Sequence, residues 1–154
     1  MKKSIEALIA KTVNKDKELS RKVERVQSIK GIGPVTAIAC LVYTKGFTSF
    51  KNGKQLACYS GVVPFIKKQS GISVKSQARV SPFANQKLKW LIHLCAMSAI
   101  QHDKELKAYY ERKLLEGKKE MCVINAVRNK LILRVYAVLR DDRDFVENYR
   151  RKSA

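Results

Sequence analysis

One serine lies at the centre of the most densely charged loop of this 154-residue chain. The run Lys67-Lys68-Gln69-Ser70-Gly71 places a hydroxyl after two cations and before a glycine, which lets the backbone approach a ligand closely. A serine beside phosphates can donate a hydrogen bond to them, and the residues alone favour this role. The same hydroxyl could attack a phosphodiester, but only if a base or a metal from another domain or subunit activates it.

A second candidate binding element occupies residues 29–37, which read Ile29-Lys30-Gly31-Ile32-Gly33-Pro34-Val35-Thr36-Ala37. The two glycines permit a tight turn whose backbone N–H groups face outward, and Ile32 between them is expected to enter the core. Pro34 then opens a helix at its favoured first position, so the positive end of that helix can receive an anion. The pattern is typical of a helix-hairpin-helix. A plain turn between two core helices is the alternative.

The charge distribution favours phosphate binding by this turn. The chain carries 32 Lys+Arg against 13 Asp+Glu, a net charge of +19, which favours a polyanionic partner such as nucleic acid. Residues 25–102 contain eleven Lys or Arg and no Asp or Glu, so this segment cannot supply carboxylates for Mg²⁺ or a carboxylate base. The predicted nucleic-acid-binding residues are Lys30, Gly31, Gly33, Thr36, Lys67, Lys68, Gly71, Lys75, Arg79, Asn85 and Lys89.

Apolar periodicity predicts an all-α or nearly all-α fold that holds these elements. Residues 1–27 are expected to form a leading, coiled-coil-like linker helix, and 28–150 a helical domain with a helix-hairpin-helix, a long basic loop and a C-terminal helical hairpin. Ser81 and Asp103 are natural caps for the two helices that follow them, and Gly117 for a stop. The predicted ranges are helix 3–27 with a candidate interruption at 14–16, helices 34–43 and 50–59, loop 61–81, and helices 82–102, 103–116 and 119–140.

Cysteine, histidine and hydropathy patterns exclude several other classes of protein. Cys40, Cys58, Cys95 and Cys122 form no Cys-x-x-Cys pair and are expected to be reduced, buried thiols of a cytosolic protein, with no metal site. His93 is expected on the surface of its helix. The longest apolar run, at 37–43, is far shorter than the roughly 20 residues that a transmembrane helix needs, so no membrane partner is expected.

Several short segments together resemble a known family. In order and spacing the region from residue 26 to 149 resembles the C-terminal domain of the bridge-RNA-guided insertion-sequence transposases, which pair a RuvC-like acidic domain with a serine-bearing domain. The matching segments are Ile29-Lys30-Gly31-Ile32-Gly33-Pro34, Phe50 with Gln55-Leu56-Ala57-Cys58-Tyr59-Ser60-Gly61-Val62-Val63-Pro64, Gln69-Ser70-Gly71, Ser81 with Asn85 and Leu88, Tyr109-Tyr110, and Gly117-Lys118.

The resemblance implies that Ser70 is the nucleophile that attacks a DNA phosphate. It implies that Mg²⁺ is held by carboxylates of an acidic domain that is not in this chain, so the chain alone is expected to be inactive and to need no cofactor of its own. It further implies a structured guide RNA, a homo-oligomeric full-length protein and a place in the bacterial cytoplasm, at the nucleoid. The chain departs from the family at Pro82-Phe83-Ala84, where Lys and Gly are usual, and at Lys89, which replaces an arginine.

Two other classes of function fit the composition. A non-catalytic helix-hairpin-helix module that binds DNA or RNA explains the charge and the turn, but not the Ser-Gly loop. An RNA-binding structural protein of ribosomal type would also suit the basic composition. Tyrosine recombinase chemistry is disfavoured because it needs an Arg/His cluster around the phosphate, and only His93 and His102 are present.

Overall fold

The computed structural model describes residues 2–46, 48–65 and 79–147, and it confirms the all-α fold. The described residues form seven helices and one pair of two-residue strands, Pro64–Phe65 (β1) and Arg79–Val80 (β2), that pair antiparallel. None of the described helices combines the length and the apolar character needed to cross a bilayer. The helices are α1 Lys2–Lys15, α2 Lys17–Gln27, α3 Pro34–Tyr43, α4 Gly53–Tyr59, α5 Gln86–His102, α6 Lys104–Leu115 and α7 Glu120–Arg140.

Helix α7 supplies the central apolar surface of the domain, because its buried side chains recur at helical spacing over its whole length. Leu131 and Val135 lie in a cluster that also contains residues of α2, α3, α5 and α6. Ile132, on the adjoining side of α7, lies in a second cluster with Leu56 of α4 and Ile92 of α5. Helices α5 and α7 contribute to both clusters, so they connect the two halves of the core.

The leading helix is broken at Asp16, close to the possible interruption seen in the sequence. The Asp16 carboxylate accepts hydrogen bonds from the backbone N–H groups of Glu18 and Leu19, at 2.9 and 3.2 Å, and so caps α2. Helix α1 packs on α2, and Val26 of α2 lies in the same buried cluster as Ile29. The predicted division between residues 27 and 28 therefore runs through a single core, and α2 packs on its own domain.

The predicted start of the long helix at Ser81 was wrong. Residues 81–84 form a turn, and α5 begins at Gln86, with Asn85 as its cap. The Asn85 side chain accepts from the Leu88 N–H at 2.9 Å and donates to the Tyr59 hydroxyl at 3.0 Å, while the Asn85 N–H donates to the Tyr59 carbonyl at 2.8 Å. Contacts with α4 thus fix the start of α5 four residues beyond the Ser-Pro signal.

Local signals located most of the other helix ends. Helix α3 spans the predicted residues, Asp103 caps α6 through the Leu106 N–H at 3.0 Å, and Gly117 follows the end of that helix. Helix α4 starts at Gly53 instead of residue 50, because Asn52 caps it. The expectation of four buried thiols holds for Cys40 and Cys95 only, since Cys58 is half-buried and Cys122 is exposed.

The two glycines of the α2–α3 turn make different demands on the fold. Gly31 has a φ of +93°, and a Cβ there would lie 2.7 Å from the Cβ of Ala99 and 2.9 Å from its backbone, whereas a Cβ on Gly33 would meet nothing within 4 Å. We expect Gly31→Ala to lower the free energy of unfolding by about 2–4 kcal/mol and Gly33→Ala by no more than about 0.5 kcal/mol. Urea unfolding measures both. Equal stabilities would contradict the close packing of the turn on α5.

Candidate nucleic-acid interface

The turn between α2 and α3 presents the start of α3 to solvent. Ile32 is buried, as predicted, and with Ile29 it anchors the turn in the core. Gly33 precedes the helix in an extended conformation, Pro34 occupies the first turn, and no side chain caps this end. Gly33, Pro34 and Val35 are exposed and the first turn carries no acid. The positive end of α3 is therefore open to an anion.

Thr36 faces the protein interior instead of this opening. Its side chain is buried, and its hydroxyl accepts a hydrogen bond from the Cys95 thiol at 3.3 Å. Burial raises the pKa of the Cys95 thiol, and its hydrogen-bond contacts with the Thr36 hydroxyl and the Gly33 backbone amide partly offset that rise. The Gly33 N–H and the Thr36 side chain are thus directed toward α5. Thr36 can therefore contact a phosphate only through its backbone N–H.

Lys30 already has an acidic partner. It forms an ion pair with Glu147, which also raises the pKa of the Lys30 ammonium by a hydrogen bond. Arg25 pairs with Asp142, and the Ser28 hydroxyl accepts from the Phe145 N–H at 2.8 Å. Residues 141–147 therefore lie along the turn, and Lys30 must release Glu147 before it can bind a phosphate.

The described ends of the long basic loop are fixed to the helices. Pro64 pairs with Val80 and Phe65 with Arg79, so the ends of the predicted loop form a short antiparallel ladder. The Asn125 amide of α7 donates to the Val62 carbonyl at 2.7 Å. Gly61, with a φ of +67°, leaves no room for a Cβ, because the Ala84 Cβ would lie 2.8 Å from it and the Lys89 Cδ 3.3 Å. Ser70, Lys67, Lys68, Gly71 and Lys75 lie outside the described residues.

Lys89 and Asn85 flank this loop base, but they are not equally free to bind. Both polar groups of the Asn85 side chain are used in capping α5 and bonding Tyr59, as described above. The half-buried stem of Lys89 covers Gly61, and its ammonium forms no ion pair with any described carboxylate. Four more cations of the 25–102 window, all exposed, likewise have no ion pair within the described part of the chain: Lys45, Lys51, Lys54 and Lys87.

A histidine and an arginine that the sequence did not connect meet between α5 and α7. His93 is half-buried instead of lying free on the surface, and its Nδ1 atom is 2.9 Å from an Nη atom of Arg128. Arg128 is 7% exposed, and its Nε atom has no hydrogen-bond acceptor. Burial, and secondarily the Arg128 charge, lowers the pKa of His93. The sequence feature that could have predicted the burial of Arg128 is its position in the apolar repeat of α7, four residues from Ile124 and from Ile132.

The described residues do not provide the donor set that Mg²⁺ prefers. Within 2–46, 48–65 and 79–147, no three His, Cys, Asp or Glu side chains lie close enough together to hold a metal ion. The groups gathered near the loop base are nitrogen donors and amides, which attract anions instead of cations. The geometry of this region therefore suits phosphate oxygens.

The turn, the loop and α5 fall within one region of family similarity. Residues 23–111, more than half of the chain, match the model of the Transposase IS116/IS110/IS902 family. The chain belongs to this family. The predicted resemblance to insertion-sequence transposases is thus confirmed at the level of the IS110-type family, and the matched range contains the α2–α3 turn and the Ser70-Gly71 segment.

Two similar proteins match most of this chain. The pilin gene-inverting protein of Moraxella bovis is 29% identical over 134 residues, which cover 86% of this chain and 41% of that protein. The insertion element IS110 43.6 kDa protein of Streptomyces coelicolor is 31% identical over 114 residues, covering 74% of this chain and 28% of the relative. The chain thus spans less than half the length of these two transposase-family relatives.

The lowered pKa of His93 predicts a pH dependence of stability. Near pH 6.5 and just below it, the unfolded chain binds a proton at this position more readily than the folded protein does. Stability should therefore be fully present above about pH 6.5 and fall as the pH drops through the interval down to the folded-state pKa. His93→Gln keeps an acceptor for Arg128 but does not titrate, so it should lose less stability between neutral and mildly acidic pH. Urea unfolding at several pH values measures both free energies of unfolding. An equal loss of stability with falling pH in the two proteins would contradict this assignment.

Proposed function

We propose that this chain is the nucleic-acid-binding and serine-nucleophile domain of an IS110-type DNA transposase or site-specific recombinase. The observation that carries the proposal is the family match over residues 23–111, which contains the α2–α3 turn, the Ser70 segment and the five lysines of the acid-free window that form no described ion pair. Since the chain spans 41% of the Moraxella bovis protein and 28% of the Streptomyces coelicolor protein, a second domain would complete the activity.

DNA binding in this proposal rests on two surfaces that α5 connects. The open end of α3 receives one backbone phosphate in the manner of a helix-hairpin-helix, through main-chain N–H groups. Lys89 and the loop base offer side-chain cations. Gly31 packs on Ala99 and Gly61 on Lys89, so the two surfaces are separated by about 15 Å along the α5 axis. A single strand of nucleic acid can span that separation.

The proposed chemistry is a phosphoryl transfer to Ser70. The Ser70 oxygen forms a bond to phosphorus, the bond from phosphorus to a deoxyribose oxygen breaks, and that oxygen leaves as a hydroxyl with the proton that Ser70 gives up to a base. Residues 25–102 contain no carboxylate for that base, and the described residues do not fit Mg²⁺, so both would come from a separate acidic domain. The family resemblance also leads us to expect a structured guide RNA and a homo-oligomeric full-length protein.

Gly33→Val tests the phosphate role of the turn. A Cβ there meets no atom within 4 Å and the backbone angles suit any residue, so the variant should fold and yet cover the open end of α3. We expect its affinity for duplex DNA of any sequence to fall by about tenfold at fixed salt, the loss of one charge-assisted contact. Thr48→Val, an exposed neutral position beyond the opposite end of α3, is the matched control. Equal affinities for the two variants would refute a phosphate contact at this turn.

Ser70→Ala tests the proposed chemistry in the longer protein that includes an acidic domain. This variant should bind DNA normally and form no covalent protein–DNA adduct, because the attacking oxygen is missing. Ser81→Ala removes a nearby serine whose hydroxyl accepts from the Phe83 N–H, and it should keep the adduct. Denaturing gel electrophoresis separates the adduct from free DNA. An adduct in the Ser70→Ala protein, or clean DNA cutting by the present chain alone with Mg²⁺, would overturn the assignment.

A further inference from the structure

Arg128 is a buried cation for which the described protein supplies no counter-ion. It lies on the apolar stripe of α7, and its Nη atom bonds only a neutral acceptor, His93 Nδ1, at 2.9 Å. No described carboxylate forms an ion pair with it, and its Nε atom has no acceptor. Burial lowers its pKa, yet an arginine keeps its charge at neutral pH. A buried, unpaired guanidinium is unfavourable unless a partner arrives from elsewhere.

Arg134, six residues later on the same helix, shows how this chain pairs a half-buried arginine. One Nη atom of Arg134 lies 2.6 Å from an Asp103 carboxylate oxygen and the other 2.7 Å from one of Glu105, while the Phe145 ring lies 4.7 Å from the guanidinium carbon. Both Nη atoms of that guanidinium therefore meet a carboxylate, and an aromatic ring lies against it. Arg128 has no such carboxylate among the described residues, so its anion is expected to come from a ligand.

The contact with Arg128 also fixes which nitrogen of His93 carries the proton. Arginine only donates, so Nδ1 must accept and the proton must lie on Nε2. Burial and the Arg128 charge lower the pKa of the ring, which keeps it neutral at physiological pH. The half-buried ring therefore offers an N–H donor with a positive charge directly behind it. Such a pair suits an anionic oxygen and repels cations.

The surroundings of the pair identify the anion. Lys89 lies one helical turn before His93 on α5, and Asn125 lies almost one turn before Arg128 on α7 and bonds Val62 at the loop base. These four side chains therefore lie beside the described loop base at Gly61 and Val62, and no acid occurs in residues 25–102. We propose that Arg128 and His93, with Lys89 at the edge, form a binding site for a backbone phosphate of nucleic acid. The proposal depends on the DNA binding proposed above, but not on Ser70.

Arg128→Met, compared with Arg134→Met, separates this role from a structural one. Replacing an unpaired buried charge with an apolar side chain of similar length should leave the melting temperature unchanged or raise it. The affinity for duplex DNA should fall by about tenfold or more, the loss of a charge-assisted contact. The slope of log K against log salt should become shallower by about 0.9, which corresponds to one phosphate.

Arg134→Met should show the reverse pattern, a lower melting temperature with an unchanged slope, because it leaves Asp103 buried without its partner. A destabilised Arg128→Met with the wild-type slope would make Arg128 merely structural and overturn the site.

Titration with inorganic phosphate provides a readout that does not require DNA. The ¹H–¹⁵N signals of Arg128 Nε–H and His93 Nε2–H should both move on addition of phosphate at constant ionic strength, and that of Arg134 Nε–H should stay in place. Stationary Arg128 and His93 signals would overturn the site. If the wild-type chain fails to bind DNA while these signals move, the DNA-binding function fails and the anion site stands.

His93→Gln, which keeps an N–H donor, should retain more DNA affinity than His93→Phe, and equal losses would remove His93 from the site.

Discussion

The packing of α5 on α7 is the contact on which the rest of this domain depends. Ile92 and Ile132 meet in one buried cluster, and Ala99 and Leu131 lie in the other. Two polar contacts cross the same interface, His93 with Arg128 and Asp103 with Arg134, and their order along both helices shows that α5 and α7 run parallel. Since α5 also carries the α2–α3 turn and the loop base, a rotation of α5 on α7 would move both binding elements together.

The few carboxylates of this chain are placed where they support structure. Buried Asp103 and exposed Glu105 neutralise Arg134, while Asp142 and Glu147 hold residues 141–147 along the turn. The remaining described lysines of the acid-free window are left to solvent, where their mutual repulsion opposes compaction. The apolar core must outweigh that repulsion in the free protein, and a polyanion would relieve it. The exposed lysines without a partner and the cations that carboxylates neutralise are therefore separate parts of the charge distribution of this chain.

Sequence reasoning succeeded where a local rule decided the structure. Pro34 started α3 and Asp103 capped α6, because a proline at the first turn and a carboxylate at the cap act within a few residues. It failed where a residue distant in the sequence determined the structure. Ser81 satisfied the same capping rule, but Tyr59 holds Asn85 and moves the helix start. The partners Lys30 and Glu147, like His93 and Arg128, lie far apart in sequence, so the neutralised lysine and the unpaired arginine became visible only in the folded chain.

The groups near the loop base also explain why this domain would grip a phosphate without being able to activate a hydroxyl. A nucleophilic serine needs an acceptor for its proton, and the local candidates are unsuited to that task. His93 carries its proton on Nε2, because Arg128 occupies Nδ1, so neither ring nitrogen is free to accept another proton. The Cys40 thiol is buried, which raises its pKa to about 12, and Lys89 is a cation. Each of these groups can stabilise negative charge or exclude water, but none can remove a proton at neutral pH. In the proposed function, binding and activation are therefore separate tasks, and the chemistry of the described residues suits only the first.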